Sequence, residues 1–204
     1  QICDAASLLA LHASIPVRSV AELIALDKAK PGSLNYGSSG TGGITHLSTE
    51  LFNQLAGTRM THVPYRGTGP AMNDLLGGQI QMIIGAVASV VPHVKSGRLR
   101  GLAVTSAKRS AAMPELPPIA DTVPGYEAAI WYATWGPKGL PQDVVTRWNR
   151  EIDRSVHSAE MKERMAREGF EPVGGPPQRM LDMLRREVAK WSRVVKAGNI
   201  RPEG

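Results

Sequence analysis

The residues best suited to bind an anion form a glycine-rich loop at positions 37–43. The loop follows residues 34–38, which are compatible with a short strand, and precedes apolar residues that recur at helical spacing from Ile44. A turn of this kind exposes backbone N–H groups at the positive end of the helix dipole. We therefore predict a ligand-binding loop made of Ser38, Ser39, Gly40, Thr41, Gly42 and His46.

Two further segments could contribute to the same site, because each follows a predicted strand. Tyr65 and Arg66 come after the strand that ends at Pro64, and they offer an aromatic wall and a guanidinium fork for a carboxylate. Gly85 follows the next predicted strand, residues 80–84. Ligands of open α/β sheets gather outside the carboxyl ends of the strands. We therefore expect the three segments to meet at one edge of the sheet.

Other motifs that a glycine loop could represent fail at single positions. A nucleotide-binding P-loop needs Lys where Ile44 stands, and a dinucleotide-binding loop needs Gly where Thr45 stands. A nucleophile elbow centred on Ser39 needs Gly where Thr41 stands. No general base accompanies a nucleophile, and the histidines lack metal-ligand spacing. We predict a binding protein and not an enzyme, without metal or cofactor; a tight turn without any ligand is the alternative.

The elements that position these loops are strands alternating with helices up to residue 105. Ser19 and Glu22 form a capping box at the start of a helix that ends before Pro31. Short Gly and Pro turns separate the following elements, which is typical of an α/β fold with a mainly parallel sheet. Residues 128–136 suggest one more strand, and residues 141–197 are mostly helical, with Met and Trp at core spacing.

Composition limits the classes of partner. The chain has 204 residues, 42% of them hydrophobic, with a net charge of +6. The basic residues are spread over both halves and only 5% of residues are aromatic, so we expect no nucleic acid partner. Cys3 stands alone, which excludes an internal disulfide, and no apolar run is long enough to span a membrane. Because the chain starts at Gln1 without a leader, we expect a processed chain or a fragment.

Six segments, in order along the chain, resemble the Bug-type (TctC-like) solute receptors of tripartite tricarboxylate transporters. They are residues 36–40 with His46, 62–67, 74–79, 101–105, 124–126 and 172–175. The resemblance runs from about Ser14 to the end of the chain. It implies a periplasmic, monomeric binding protein with two α/β lobes and a hinge, of the type II class, that closes on a small carboxylate and delivers it to a membrane permease. In that family the loop matching residues 37–42 holds a carboxylate, and the segment matching residues 65–67 lines the cleft.

The resemblance also implies a division of the chain. We expect residues 1–14 to be a residual strand of lobe one with the hinge, residues 15–130 to form lobe two, and residues 131–204 to be a hinge strand and helices that return to lobe one. Family members usually carry a signal peptide and the first part of lobe one ahead of the segment seen here. We therefore expect an incomplete first lobe, exposed apolar surface in the second part and weakened ligand binding.

One departure from the family concerns the ligand. Many members have an aromatic residue and an acid where Ile84 and Gly85 stand, and the acid can pair with the ammonium of an amino acid. Gly85 supplies no such charge, so we expect a carboxylate without an ammonium group. Two alternatives stay open at this point: the effector domain of a transcriptional regulator, and a serine-dependent α/β hydrolase that uses Ser38 or Ser39.

Overall fold

The computed structural model describes residues 1–201. The strands are β1 Cys3–Ala5, β2 Ser7–His12, β3 Asn35–Ser38, β4 Thr61–Pro64, β5 Met82–Ala86, β6 Leu99–Val104, β7 Ile130–Tyr132 and β8 Phe170–Pro172. The helices are α1 Val20–Ala29, α2 Ile44–Ala56, α3 Thr68–Leu76, α4 Val87–Lys95, α5 Gln142–Val156, α6 Ala159–Glu168 and α7 Pro177–Ala197, with a short 3₁₀ turn at Ile119–Asp121. The predicted α/β class is confirmed.

The larger sheet has five strands in the order β4-β3-β5-β2-β6. Strand β3 runs parallel to both of its neighbours, whereas β2 runs antiparallel to β5 and to β6. Four of the five strands therefore point the same way, as the alternating pattern predicts, and β2 alone is reversed. Strands β3, β4 and β5 consequently end side by side at one edge of the sheet.

Helices cover both faces of this sheet. On one face, Leu23 of α1 and Phe52 of α2 belong to one buried cluster, together with Leu9 and Leu11 of β2. On the other face, α3 and α4 contribute Leu75 and Val90 to a second cluster, which includes Leu8 and Ala10. Successive residues of β2 thus enter opposite cores, because side chains alternate across a strand. A strand buried on both faces is apolar throughout, which explains why β2 shows no alternating pattern in the sequence.

Local signals set the ends of two helices that flank this sheet. Ser19 caps α1 by accepting a hydrogen bond from the Glu22 N–H at 3.1 Å, as predicted. Gly57 ends α2 with φ of +67°, a left-handed conformation that glycine adopts without steric cost. These caps define where α1 begins and where α2 ends.

A second, three-stranded sheet has the order β7-β1-β8, with both outer strands antiparallel to β1. Helix α6 packs against strand β8, and several large apolar side chains between residues 130 and 197 face solvent. Trp135 is 53% exposed, Trp148 is 61% exposed and Val188 is 58% exposed. The expectation of exposed apolar surface in this part of the molecule is confirmed.

The strand pairing indicates where the chain passes from the smaller sheet to the larger one, between β1 and β2. The expected role of residues 1–14 is a residual strand of lobe one with the hinge, and Ser7–His12 is an inner strand of the five-stranded sheet. Helix α7 also reaches the larger sheet: Val194 is buried in one of its cores, and Gln54 of α2 donates to the Val194 carbonyl at 3.0 Å. The division into lobes stays a prediction, and the strand pairing favours a first boundary near Ala6. Within residues 1–201, every helix is too short or too polar to cross a bilayer.

Candidate functional site

The three predicted segments lie at the same edge of the larger sheet, because the register aligns the ends of β3, β4 and β5. Ser38, the last residue of β3, pairs with Pro64, the last residue of β4. Ala86 ends β5 opposite Ser7, the first residue of the reversed strand β2. We call this edge the rim, defined by residues 37–43, 64–67, 84–86 and Ser7. The Ser7 N–H donates to the Thr105 hydroxyl at 2.9 Å, which closes the rim on the side of β6.

Backbone N–H groups of the glycine loop are largely occupied within the protein. The N–H groups of Ser39, Gly40, Gly42 and Gly43 each donate to an acceptor within residues 38–46, at 2.9 to 3.2 Å. The loop is therefore folded on its own side chains, which the sequence did not reveal. Anion binding by the loop stays a prediction, and these four N–H groups would have to exchange partners to take part in it.

Helix α2 begins directly after the loop, and its first turn supplies the unoccupied donors. Gly43 is the N-cap and offers no side chain, and the first backbone bond of the helix runs from the Leu47 N–H to the Gly43 carbonyl at 2.9 Å. Within residues 1–201, no acceptor is recorded for the N–H groups of Ile44, Thr45 and His46. These groups lie at the positive end of the helix dipole, where a carboxylate is stabilised.

Two loop glycines have conformations that other residues rarely adopt. Gly40 has φ of +133° and Gly42 has φ of +79°. Gly37 requires glycine for a different reason: a Cβ there would collide with the Ile80 side chain and lie 3.3 Å from Tyr65 Cε2. These constraints account for three glycines of the loop by backbone geometry and packing, independently of any ligand.

Ser38 is fully buried, and its hydroxyl lies 2.6 Å from His62 Nε2. The same hydroxyl lies 3.2 Å from both the N–H and the carbonyl of Gly40. The expectation that no base accompanies a nucleophile is wrong for this pair, which the sequence does not indicate because the two residues lie on neighbouring strands. A buried hydroxyl already bound to its neighbours cannot reach a substrate, so this geometry does not favour the hydrolase alternative.

Three rings stack behind the loop. His46 and His62 lie face to face, with centroids 3.7 Å apart and planes 6° apart. Tyr36 continues the stack at 5.0 Å from His62, and its hydroxyl donates to Glu50. Burial lowers the pKa of His46, which Glu50 partly opposes. Burial, reinforced by the His46 ring, lowers the pKa of His62 to about 4. Both imidazoles are therefore neutral at pH 7.

The segment after β4 is tied to the loop and to helix α3. The Tyr65 N–H donates to the Ser38 carbonyl at 3.1 Å, and its hydroxyl donates to Asp74 at 2.7 Å. Burial and that hydroxyl bond raise the pKa of Tyr65 to about 12, so the phenol stays protonated. Arg66 is exposed, and within the described residues its guanidinium has no hydrogen-bond or ion-pair partner. The rim thus presents an uncompensated cation beside a fixed aromatic ring.

Gly85 is placed differently from the other predicted residues. It is buried within β5, and a Cβ there would lie 3.0 Å from Val90 Cγ2 of helix α4. A side chain at this position would point into the core between β5 and helix α4. Contact of Gly85 with a ligand stays a prediction, restricted to its backbone.

A separate apolar cavity lies in the other part of the molecule. Its volume is about 440 Å³, and its lining includes Trp135, Leu140, Trp148 and Leu181. It shares no residue with the rim, where Gly42 and Arg66 face solvent. The polar groups suited to an anion and this apolar cavity are therefore at different places.

The fold and the rim together define a class: an α/β sheet covered by helices on both faces, with donors at its carboxyl edge, as in periplasmic binding proteins. The solved structure of R. palustris Rpa4515 with adipate matches this chain with a TM-score of 0.86 at 38% identity, covering 99% of this chain and 68% of that one. The periplasmic binding protein BugD matches with a TM-score of 0.81 at 26% identity, covering 99% of this chain and 69% of that one.

The family model of the tripartite tricarboxylate transporter family receptor matches residues 1–200. The chain belongs to this family, which confirms the resemblance drawn from the sequence motifs. Among curated relatives, Protein BugT of Bordetella pertussis is 34% identical over 194 residues, which are 95% of this chain and 60% of that protein. The chain thus spans less than two thirds of this relative.

Proposed function

We propose that this chain forms part of a periplasmic receptor that captures a small carboxylate and delivers it to a membrane permease. The observation that carries the proposal is the rim, where the unoccupied first turn of α2 and the unpartnered Arg66 follow adjacent strand ends. Family membership supports a receptor role over the regulator and hydrolase alternatives. The ligand-binding residues of this proposal are those predicted from the sequence except Ser38, whose hydroxyl is buried, with the N–H groups of Ile44 and Thr45 added.

The donors at the rim match the chemistry of a carboxylate. Backbone N–H groups and a guanidinium are both donors without acceptor capacity, and charged hydrogen bonds contribute roughly 1.5 to 3 kcal/mol each. Three or four of them reach the roughly 8 kcal/mol of micromolar binding. Adipate, named with Rpa4515, carries two carboxylates, so we propose a dicarboxylate of similar length as the ligand class.

The absence of a charged side chain at Gly85 extends this proposal to ligand selectivity. An amino acid ligand needs an acceptor for its ammonium, and β5 ends in Gly85 and Ala86, which carry none on their side chains. We therefore propose that the receptor prefers a dicarboxylate over the corresponding amino acid, and that it acts as a monomer which releases its ligand unchanged.

Matched ligands test this function. Glutarate, glutamate and glutaramide share one carbon skeleton, and they differ by an ammonium group or by the loss of both charges. We expect thermal stabilisation of the chain by glutarate, less by glutamate and none by glutaramide. Equal stabilisation by glutaramide would contradict carboxylate recognition, and a preference for glutamate would contradict the selectivity. Recovery of each ligand unchanged after incubation, measured by NMR, checks that binding occurs without reaction.

A further inference from the structure

The contact between the glycine loop and His46 has a fixed direction. The Gly42 N–H points at His46 Nδ1, and the two nitrogens lie 3.0 Å apart. A backbone N–H can only donate, so Nδ1 must present a lone pair and the ring must carry its hydrogen on Nε2. Protonation of His46 would place a second hydrogen on Nδ1 and remove the acceptor. This hydrogen bond therefore exists only while His46 is neutral.

The second imidazole holds the first one in place. His62 covers the face of His46 at 3.7 Å, and its Nε2 lies 2.6 Å from the hydroxyl of Ser38, at the start of the loop. His46 is 5% exposed and therefore has little freedom to turn away. The two rings thus contact the loop at both ends, through Ser38 and Gly42. Two imidazolium charges at this separation would repel, so the stack favours the neutral forms.

We propose that His46 is a positioning residue for ligand binding: its neutral ring, held by His62, fixes Gly42 and thereby orients the first turn of α2 towards a carboxylate. The ligand part of this inference rests on the proposed function, whereas the contact between His46 and Gly42 can be tested without ligand. Acidification breaks the contact, so carboxylate binding weakens with a dependence on pH that belongs to His46 and adds to the protonation of the ligand itself.

The charged and titratable groups around the pair set the direction of this effect. Glu50, on the same helix, favours the protonated form of His46, but it also accepts hydrogen bonds from Tyr36 and Asn53. From strand β4, His62 presents its ring face, and from strand β3 Tyr36 presents a phenol whose pKa is raised by burial and by Glu50. Burial is the largest influence on both imidazoles, and it lowers the pKa of each.

The first experiment needs no ligand. In the ¹⁵N-labelled chain, the ring nitrogens report the tautomer and protonation of His46, and the Gly42 amide reports its hydrogen bond. We expect a neutral His46 with its hydrogen on Nε2 at pH 8, and a Gly42 resonance that moves with the same midpoint as His46 on acidification. A Gly42 amide that is indifferent to the titration of His46 would overturn the proposal.

The second experiment uses adipate and three variants. In H46N the side-chain oxygen takes the place of Nδ1 but does not titrate, H46A removes the acceptor, and H93N changes a histidine of α4 outside the rim. We expect H46A to bind adipate about tenfold more weakly at pH 8, which corresponds to the loss of one hydrogen bond. H46N should bind adipate nearly as tightly as the wild type at pH 8. On acidification, its affinity should fall less than the affinities of the wild type and of H93N, which should fall alike.

Adipate itself protonates in the same way in every sample. Only the difference in the pH dependence of affinity between variants therefore reports on His46. An identical acid dependence in H46N and the wild type would overturn the proposal. If no variant and no wild-type sample bound adipate while Gly42 still followed His46, the proposed ligand class would be contradicted and the positioning of the loop would stand.

Discussion

The hydroxyl of Tyr65 donates to the carboxylate of Asp74 at 2.7 Å, and this bond joins the segment after β4 to helix α3. Gly67, two residues after Tyr65, donates through its N–H to the Ser39 carbonyl at 3.3 Å. Arg66 therefore lies between two anchored neighbours while its own side chain is exposed. A cation without a partner on a fixed backbone is well placed to receive an anion, because the backbone that carries it loses little conformational entropy when the anion binds.

Arg66→Ala should weaken dicarboxylate binding by about tenfold to a hundredfold, because a charged hydrogen bond contributes roughly 1.5 to 3 kcal/mol. Arg66→Lys should recover part of this affinity, since the charge remains but the guanidinium fork is lost. NMR titration with adipate measures both variants even when binding is weak. Arg98→Ala is the matched control, because Arg98 precedes β6 at the opposite edge of the sheet. Equal losses in the Arg66 and Arg98 variants would exclude a specific role for Arg66.

Gly37→Ala should lower the free energy of unfolding by about 1 to 3 kcal/mol, the usual cost of overpacking a core. The new methyl group would collide with Ile80, which is 2% exposed and has little room to move. Gly69→Ala is the control, since a Cβ at Gly69 meets nothing within 4 Å and the residue lies in helix α3. The control should be neutral or stabilising by up to about 1 kcal/mol. Urea unfolding of both variants checks the difference, and equal stabilities would refute this packing.

Acidification should destabilise the chain through the stacked histidines. Histidines of the unfolded chain titrate near pH 6.5, whereas burial lowers the folded pKa of His62 to about 4. Between these values the unfolded state binds more protons, so stability falls as the pH drops from about 6.5 towards 4 and the loss is complete below that range. Because the His62 ring is only half buried, we expect His62 to account for about 1 kcal/mol of this loss.

Carboxylates also titrate at the acid end of this range, so the His62 contribution needs a variant that isolates it. His62→Gln keeps a polar atom near Ser38 and cannot gain a proton. Urea unfolding at a series of pH values should show a smaller acid loss in this variant than in the wild type. The same pH dependence in both proteins would mean that His62 titrates alike in the folded and unfolded states.

Much of this architecture could be predicted from the sequence because its signals are local. Ser19 and Gly57 mark helix ends through their own caps, and the placement of three loops at one edge follows from strands that point the same way. Strand β2 gave no comparable signal, because a strand buried on both faces lacks alternation. Strand β8 was also missed, since Phe170–Pro172 is three residues long and follows a helix directly.

The chemistry of the rim was harder to predict, because it depends on contacts between distant residues. His46 and His62 are sixteen positions apart, yet their rings stack, and nothing in the spacing of either residue indicates this. The loop glycines were correctly recognised as a special turn, but the sequence could not show that Gly42 already donates to His46. The sequence therefore predicted free N–H groups in the glycine loop, whereas the structure has them a few residues later, in the first turn of α2.

Binding of a carboxylate at the rim can be observed by amide NMR of the ¹⁵N-labelled chain during a titration with adipate. We expect the largest and saturable shifts at the amides of Ile44, Thr45 and His46, together with the side chain of Arg66. Shifts that gather instead around Trp135 and Trp148, with the α2 amides unmoved, would contradict it.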